Sequence, residues 1–146
     1  MYPWTLPYLQ AGVLRMPAGK GRHSPIAADD QGRAIASLLA DPRDYLGKVV
    51  PLSGPVEMDH EQMARELSEA LGRPIVFQDP PIAEYVDSLG KMGVPPYVLQ
   101  HFAGAMQDYQ NGHMSGADNN VELITGKRSM TVGEFARLHA DRLNGT

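Results

Sequence analysis

A chain of 146 residues, 42% apolar and 21% charged, is long enough for one sizeable core and has neither a disordered nor a fibrous composition. A formal net charge of −4, with no basic run longer than Lys127-Arg128, excludes a surface that tracks nucleic acid. Cysteine is absent, which excludes disulfides and thiol catalysis and is compatible with a cytoplasmic location; no apolar run reaches the roughly 20 residues of a membrane-spanning helix.

The residues after Met1 lack the positive region of a secretory signal, and Pro3 and Pro7 interrupt their short apolar stretch. Trp4 to Gln10 is predicted to make one or two helical turns, stopped at Gly12. Val13-Leu14-Arg15-Met16 and Arg22-His23-Ser24-Pro25-Ile26 read as extended arms flanking a Pro/Gly turn, the pattern of a hairpin or a loop turn between two short strands. Asp29 or Asp30 is the expected N-cap of a helix whose apolar positions Ile35, Leu38 and Leu39 recur at three and four residues, ending at Asp41-Pro42. Lys48 to Leu52 reads as a strand between Gly47 and Gly54-Pro55.

Asp59 with Gln62 forms a capping box for the clearest helix, whose buried stripe is Met63, Leu67, Ala70 and Leu71 and whose stop is Gly72. Ile75-Val76-Phe77 is a short strand. Ile82, Tyr85, Val86 and Leu89 mark a further helix, and Pro95-Pro96 opens a longer one through Val98, Leu99, Phe102, Met106 and Tyr109. His113 to Asn120 is a polar loop. A second capping box, Thr131 with Glu134, starts a final helix through Phe135, Leu138 and Leu143. The order is mixed α/β and helix-rich, in a single domain over 1–146.

Several stretches fall in a familiar order: Pro17, Gly19 and Gly21; Ile26 leading to Asp29-Asp30 and Arg33-Ala34-Ile35-Ala36-Ser37-Leu38-Leu39; Gly47-Lys48-Val49-Val50-Pro51-Leu52-Ser53-Gly54-Pro55; Leu67 to Ile75; and Ile124-Thr125-Gly126-Lys127-Arg128. From about Leu6 to Leu143 the chain resembles the C-terminal, substrate-side half of the NmrA-like family, atypical short-chain dehydrogenase/reductases. Gln31 and Gly32 depart from that pattern, where the family usually carries an apolar residue and alanine. The resemblance implies a truncated Rossmann-type region with a few short strands and about five helices. It also implies a substrate side without the family's cofactor machinery.

The residues agree on the cofactor. Gly19-Lys20-Gly21 runs into Arg22-His23-Ser24-Pro25, so no helix follows to cradle a pyrophosphate, and no Tyr-x-x-x-Lys spacing occurs. No NAD(P) and no other cofactor is therefore expected. The five histidines, at 23, 60, 101, 113 and 139, show no His-x-x-x-His spacing, so no metal is expected; His60, in the first turn of a capped helix, is read as solvated. Asp29-Asp30 fit a helix cap better than an acid–base pair. Leu52-Ser53-Gly54-Pro55 lacks the glycine before serine of a nucleophile elbow.

His101 is the candidate acid–base group, with Tyr97 at i−4 and Asp108 two turns on, and with Met106 and Tyr109 as candidate substrate-binding residues. The resemblance implies that this helix covers the substrate cleft. Packing in a core or on a helix surface remains the commoner fate of such residues. Trp4 and Tyr8 belong to a segment that, by the resemblance, borders the substrate; they either line an open pocket or pack into a neighbouring chain.

Three readings follow. One is a small-molecule-binding protein, for an aromatic or quinone-like ligand, derived from the substrate half of such an oxidoreductase. A second is a cofactor-free hydrolase, isomerase or lyase using His101. A third is a regulatory or interaction protein. A homodimer is expected because, by the resemblance, the strand Lys48–Leu52 corresponds to one in a parallel sheet supplied largely by the family's other half, which leaves its edge open.

Overall fold

A computed structural model describes residues 4–146. Helix α1 (Leu6–Gln10) leads into strand β1 (Val13–Arg15), and helix α2 (Ala28–Ala40) is followed by a single 3-10 turn at Arg43–Tyr45. Then come α3 (His60–Leu71), β2 (Val76–Gln78), α4 (Ile82–Lys91), α5 (Pro96–Gln110), α6 (Asn120–Thr125), α7 (Val132–Leu138) and α8 (Ala140–Asn144). The class is mixed α/β and helix-rich, with eight α-helices among the described residues. The number exceeds the expected five because α1 and α6 are short helices in their own right and the last helix divides at His139.

Local chemistry sets the best-defined ends. Both expected capping boxes form: the Asp59 carboxylate accepts from the Gln62 amide at 2.8 Å while the Gln62 side chain accepts from the Asp59 amide, and Thr131 and Glu134 repeat the arrangement on α7. Gly72 closes α3 at φ 66°, the left-handed conformation that glycine adopts without a Cβ penalty.

Two apolar cores result. The larger surrounds α3, where Ala64, Leu67 and Leu71 meet Leu9 of α1, Ile75, Ala136 of α7 and Leu143 of α8. The smaller joins α4 to α5 through Tyr85, Leu89 and Phe102, with Trp4, Met16 and Met106 against them. Among the described residues no helix is long and apolar enough to cross a membrane.

Non-local pairing departs from expectation. β1 forms no hairpin with residues 22–26; it pairs in parallel with β2, Val13 opposite Val76 and Arg15 opposite Gln78. A parallel pair needs a long crossover, and α2 and α3 lie within it. The 22–26 arm instead makes one antiparallel bridge, His23 to Met58, with reciprocal amide bonds of 3.1 and 2.9 Å.

Lys48 to Leu52 is not a strand. A strand exists by its ladder, and among the described residues neither Val49 nor Val50 has a backbone hydrogen-bond partner; Val49 is 98% exposed. The open strand edge on which pairing between copies was expected is therefore absent, and Leu39, Leu46 and Val49 stand exposed.

In α2 the stripe expected at Ile35, Leu38 and Leu39 is not the buried one: Ala34 and Asp30 are buried, while Ile35 and Leu39 face solvent. The N-cap is Ala27, and Asp29 and Asp30 lie in the first turn, where negative charge suits the helix dipole. Asp30 instead reaches inward to the Met130 amide and to Arg33.

Candidate functional site

A cleft of about 330 Å³ opens between α1, β1, α3 and the start of α7. Helix α1 contributes Leu9, with Thr5 just before it, β1 contributes Leu14 and Arg15, with Met16 just after, and α3 contributes His60, Met63 and Leu67. The 23–28 arm and residues 130–135 complete the walls. The volume lies at the lower end of the roughly 300–1,000 Å³ of small-molecule sites. Met16, Met63 and Met130 are flexible, polarisable wall residues that suit a flat apolar ligand.

The polar end of the cleft is a histidine pair. Because His23 pairs with Met58 and extended residues two apart point the same way, His60 follows onto the same side as His23. Their rings stack with centroids 5.5 Å apart. From behind, the Tyr109 hydroxyl lies 2.7 Å from His23 Nδ1 and 3.2 Å from His60 Nδ1. Tyr109 is held there by the last turn of α5 and by Gly21, whose missing side chain leaves room for the phenol ring.

Burial governs the charge states. It lowers the pKa of His23, and that of His60 to about 4, the latter helped by His23 and opposed by Asp59 and Asp79. Burial also pushes Tyr109 up to about 12, with Asp59 adding to the rise. At neutral pH the trio is two neutral imidazoles and a neutral phenol. Among the described residues no group of three or more His, Cys, Asp or Glu converges on a common point.

This predicts a measurable acid sensitivity. His60 binds a proton less readily when folded than when unfolded, so stability is complete above about pH 6.5 and falls as pH drops toward 4, where the native ring protonates as well. The groups facing it are His23, Tyr109, Asp59 and Asp79. Allowing for the solvent that reaches the cleft, the loss is about 2 kcal/mol. Urea unfolding at pH 7 and 4.5 checks it: His60→Phe is expected to flatten the difference, and an unchanged pH dependence in that variant would assign the acid loss to other groups.

The structure separates the residues singled out in the sequence. His101, Tyr97 and Asp108 lie on the solvent face of α5, Tyr97 being 74% exposed, and none lines the cleft. Asp108 faces His113 at 3.3 Å instead. Met106 and Trp4 pack into the α4/α5 core. Tyr8 lies under the Arg15 guanidinium, 5.6 Å from its ring centroid; Arg15 also pairs with Glu84 at 2.8 Å. Tyr109 alone of that set joins the polar cluster.

Sequence spacing does not single out His23 and His60. His60 is 6% exposed rather than solvated. A signal for it is present all the same: 60, 64, 67 and 71 fall on one helical stripe, so the residue after the cap is in register with the buried face.

No family model matches the chain. An NAD(P)H azoreductase of Xenophilus azovorans is 29% identical over 143 residues, covering 92% of this chain and 48% of that protein. A nitrogen metabolite regulation-like protein of Gibberella fujikuroi is 32% identical over 137 residues, 82% of this chain and 42% of that protein. Among solved structures, an NADPH-dependent quinone oxidoreductase of Escherichia coli, complexed with NADPH, superposes with a TM-score of 0.78 at 23% identity, over 92% of this chain and 47% of that one. A triphenylmethane reductase of Citrobacter gives 0.73 at 18%, over 96% and 47%. The chain spans about half the length of the relatives it matches.

Proposed function

We propose, for a chain that belongs with the NmrA-like proteins as the counterpart of their C-terminal half, that it binds a small, uncharged, largely apolar molecule in the cleft between α1, α3 and α7. The observation that carries this reading is the combination of methionine-lined walls with one neutral polar end, His23 and His60. Relatives whose names specify azo, quinone and triphenylmethane chemistry support a flat aromatic ligand.

On this reading the 146 residues do not bind NAD(P) by themselves. The Gly19 amide, in the one stretch rich in glycine near a strand end, donates to the Asp79 carboxylate at 3.0 Å, and a carboxylate there repels phosphate. Two titrations test the proposal. Naphthalene is expected to bind the chain saturably and to lose affinity in Met63→Ser, while His101→Ala leaves it unchanged. NADPH is expected to show no saturable binding at micromolar concentration. Absence of naphthalene binding by folded protein removes the reading, and micromolar NADPH binding removes its second clause.

A second reading, acid–base catalysis without a cofactor, has one observation in its favour, the paired imidazoles that line the cleft. It moves the acid–base role from His101 to His23 and His60.

A further inference from the structure

Tyr109 carries one hydroxyl proton, yet its oxygen stands within hydrogen-bond distance of two imidazole nitrogens of the same kind, His23 Nδ1 and His60 Nδ1. The hydroxyl can donate to only one of them and must accept from the other. The ring that receives its proton has a bare Nδ1, and that ring's own proton sits on Nε2. The ring that donates to it carries Nδ1–H, and its Nε2 is a lone pair. The two neutral rings are forced into opposite tautomers.

The other edges of the rings are unsatisfied. Among the described residues neither His23 Nε2 nor His60 Nε2 has a hydrogen-bond partner, and neither is sealed from solvent; both residues line the cleft. The cleft wall thus presents one N–H donor and one lone pair, from rings 5.5 Å apart. A hydroxyl is an uncharged group that accepts and donates through a single atom. Seated there, it repeats on the Nε2 side what Tyr109 does on the Nδ1 side. The four groups then close a ring of hydrogen bonds running in one direction, and no buried polar atom of the trio is left over.

We propose that His23, His60 and Tyr109 form a tautomer-locked receptor for the neutral hydroxyl of an aromatic ligand, a phenol or naphthol, with the ligand's body in the methionine-lined cleft. His23 and His60 contact the ligand; Tyr109 acts through them as a positioning residue. Carboxylates are rejected because two neutral imidazoles offer no charge to repay their desolvation, and methyl ethers because they leave the lone-pair ring unpaired. The low proton affinity of both rings supports this, since an imidazolium would present two donors and break the cycle.

The inference rests on the cleft being a small-molecule site, and the experiment separates the two. Binding of naphthalene, 2-naphthol, 2-methoxynaphthalene and 2-naphthoate to the full chain is measured by calorimetry at pH 7.5. We expect 2-naphthol to bind roughly tenfold more tightly than 2-methoxynaphthalene, and 2-naphthoate not to bind. In Tyr109→Phe, which frees both rings to take the same tautomer, the preference is expected to shrink to about twofold. Nitrogen-15 spectra of the wild type are expected to show one ring protonated at Nδ1 and one at Nε2. Equal affinities for the naphthol and its ether, or both rings protonated at Nε2, overturn the receptor while leaving the cleft. Failure of naphthalene itself to bind overturns both.

Discussion

Alanine at Gly54 is expected to cost about 4 kcal/mol or more, a large share of the roughly 5–15 kcal/mol that holds a domain folded. A Cβ built there would fall on the backbone carbonyl oxygen of Pro25, and the Gly54 amide already donates to the Ser24 carbonyl at 3.0 Å. Both sides of the contact are main chain, so no side chain can rotate away, and relief requires the 23–28 arm to move. That arm carries His23 and forms one wall of the cleft, so partial folding would cost ligand affinity as well. Gly32 is the internal control: it lies inside α2 with open space around its missing Cβ, and alanine there is expected to stabilise by about 0.5–1 kcal/mol through helix propensity. Urea unfolding of the two variants measures both effects. A Gly54→Ala protein within about 1 kcal/mol of wild type would mean that the 24–25 and 54 backbones are not in contact in solution.

The second large effect lies at Asp30, 1% exposed on the inner side of α2. Its carboxylate accepts from the Met130 amide at 2.6 Å and pairs with Arg33 at 2.9 Å. Arg33 in turn donates to Thr125 Oγ1 and to the carbonyls of Lys127 and Arg128, so the two side chains tie the first turns of α2 to the segment that precedes α7. Asp30→Ala leaves a part-buried amide without an acceptor and a half-buried guanidinium without its counter-ion, an expected loss of about 3 kcal/mol. Asp30→Asn keeps the shape and an acceptor oxygen, and is expected to lose about half as much. Met130, Thr131 and Val132 line the cleft, so naphthalene affinity should fall with Asp30→Ala even where the protein remains folded. A loss below about 1 kcal/mol in Asp30→Ala, measured by urea unfolding, would show that the pair is exchanged for water at little cost.

The sequence alone determined what depends on neighbours a few residues away. Asp59 with Gln62, Thr131 with Glu134, and glycine at 72 place helix ends by local hydrogen bonds and backbone freedom, and each stands where its motif puts it. The order of elements, the helix-rich α/β class and the likeness to half of an NmrA-like protein were legible for the same reason: they are carried by motifs in series. That no helix follows Gly19–Gly21 directly could also be read, because proline at 25 disfavours one there.

Tertiary structure alone decided the partners. A three-residue strand such as Val13–Arg15 carries no information on whether its ladder lies with the next arm or far along the chain, and it took the distant one. Val49 and Val50 have strand chemistry, but a strand needs a neighbour, and none is present among the described residues. On α5 the sequence offered two adjoining faces. Tyr97, His101 and Asp108 share one, Phe102 and Tyr109 the other, and only the packing of α5 against α4 and against Gly21 settles which turns inward. His23 and His60, far apart in the chain with no motif between them, meet because one bridge to Met58 brings two segments into register. A hydroxyl placed between two rings from separate segments is a property of the assembled fold, since each hydrogen bond in it joins residues that no local spacing relates.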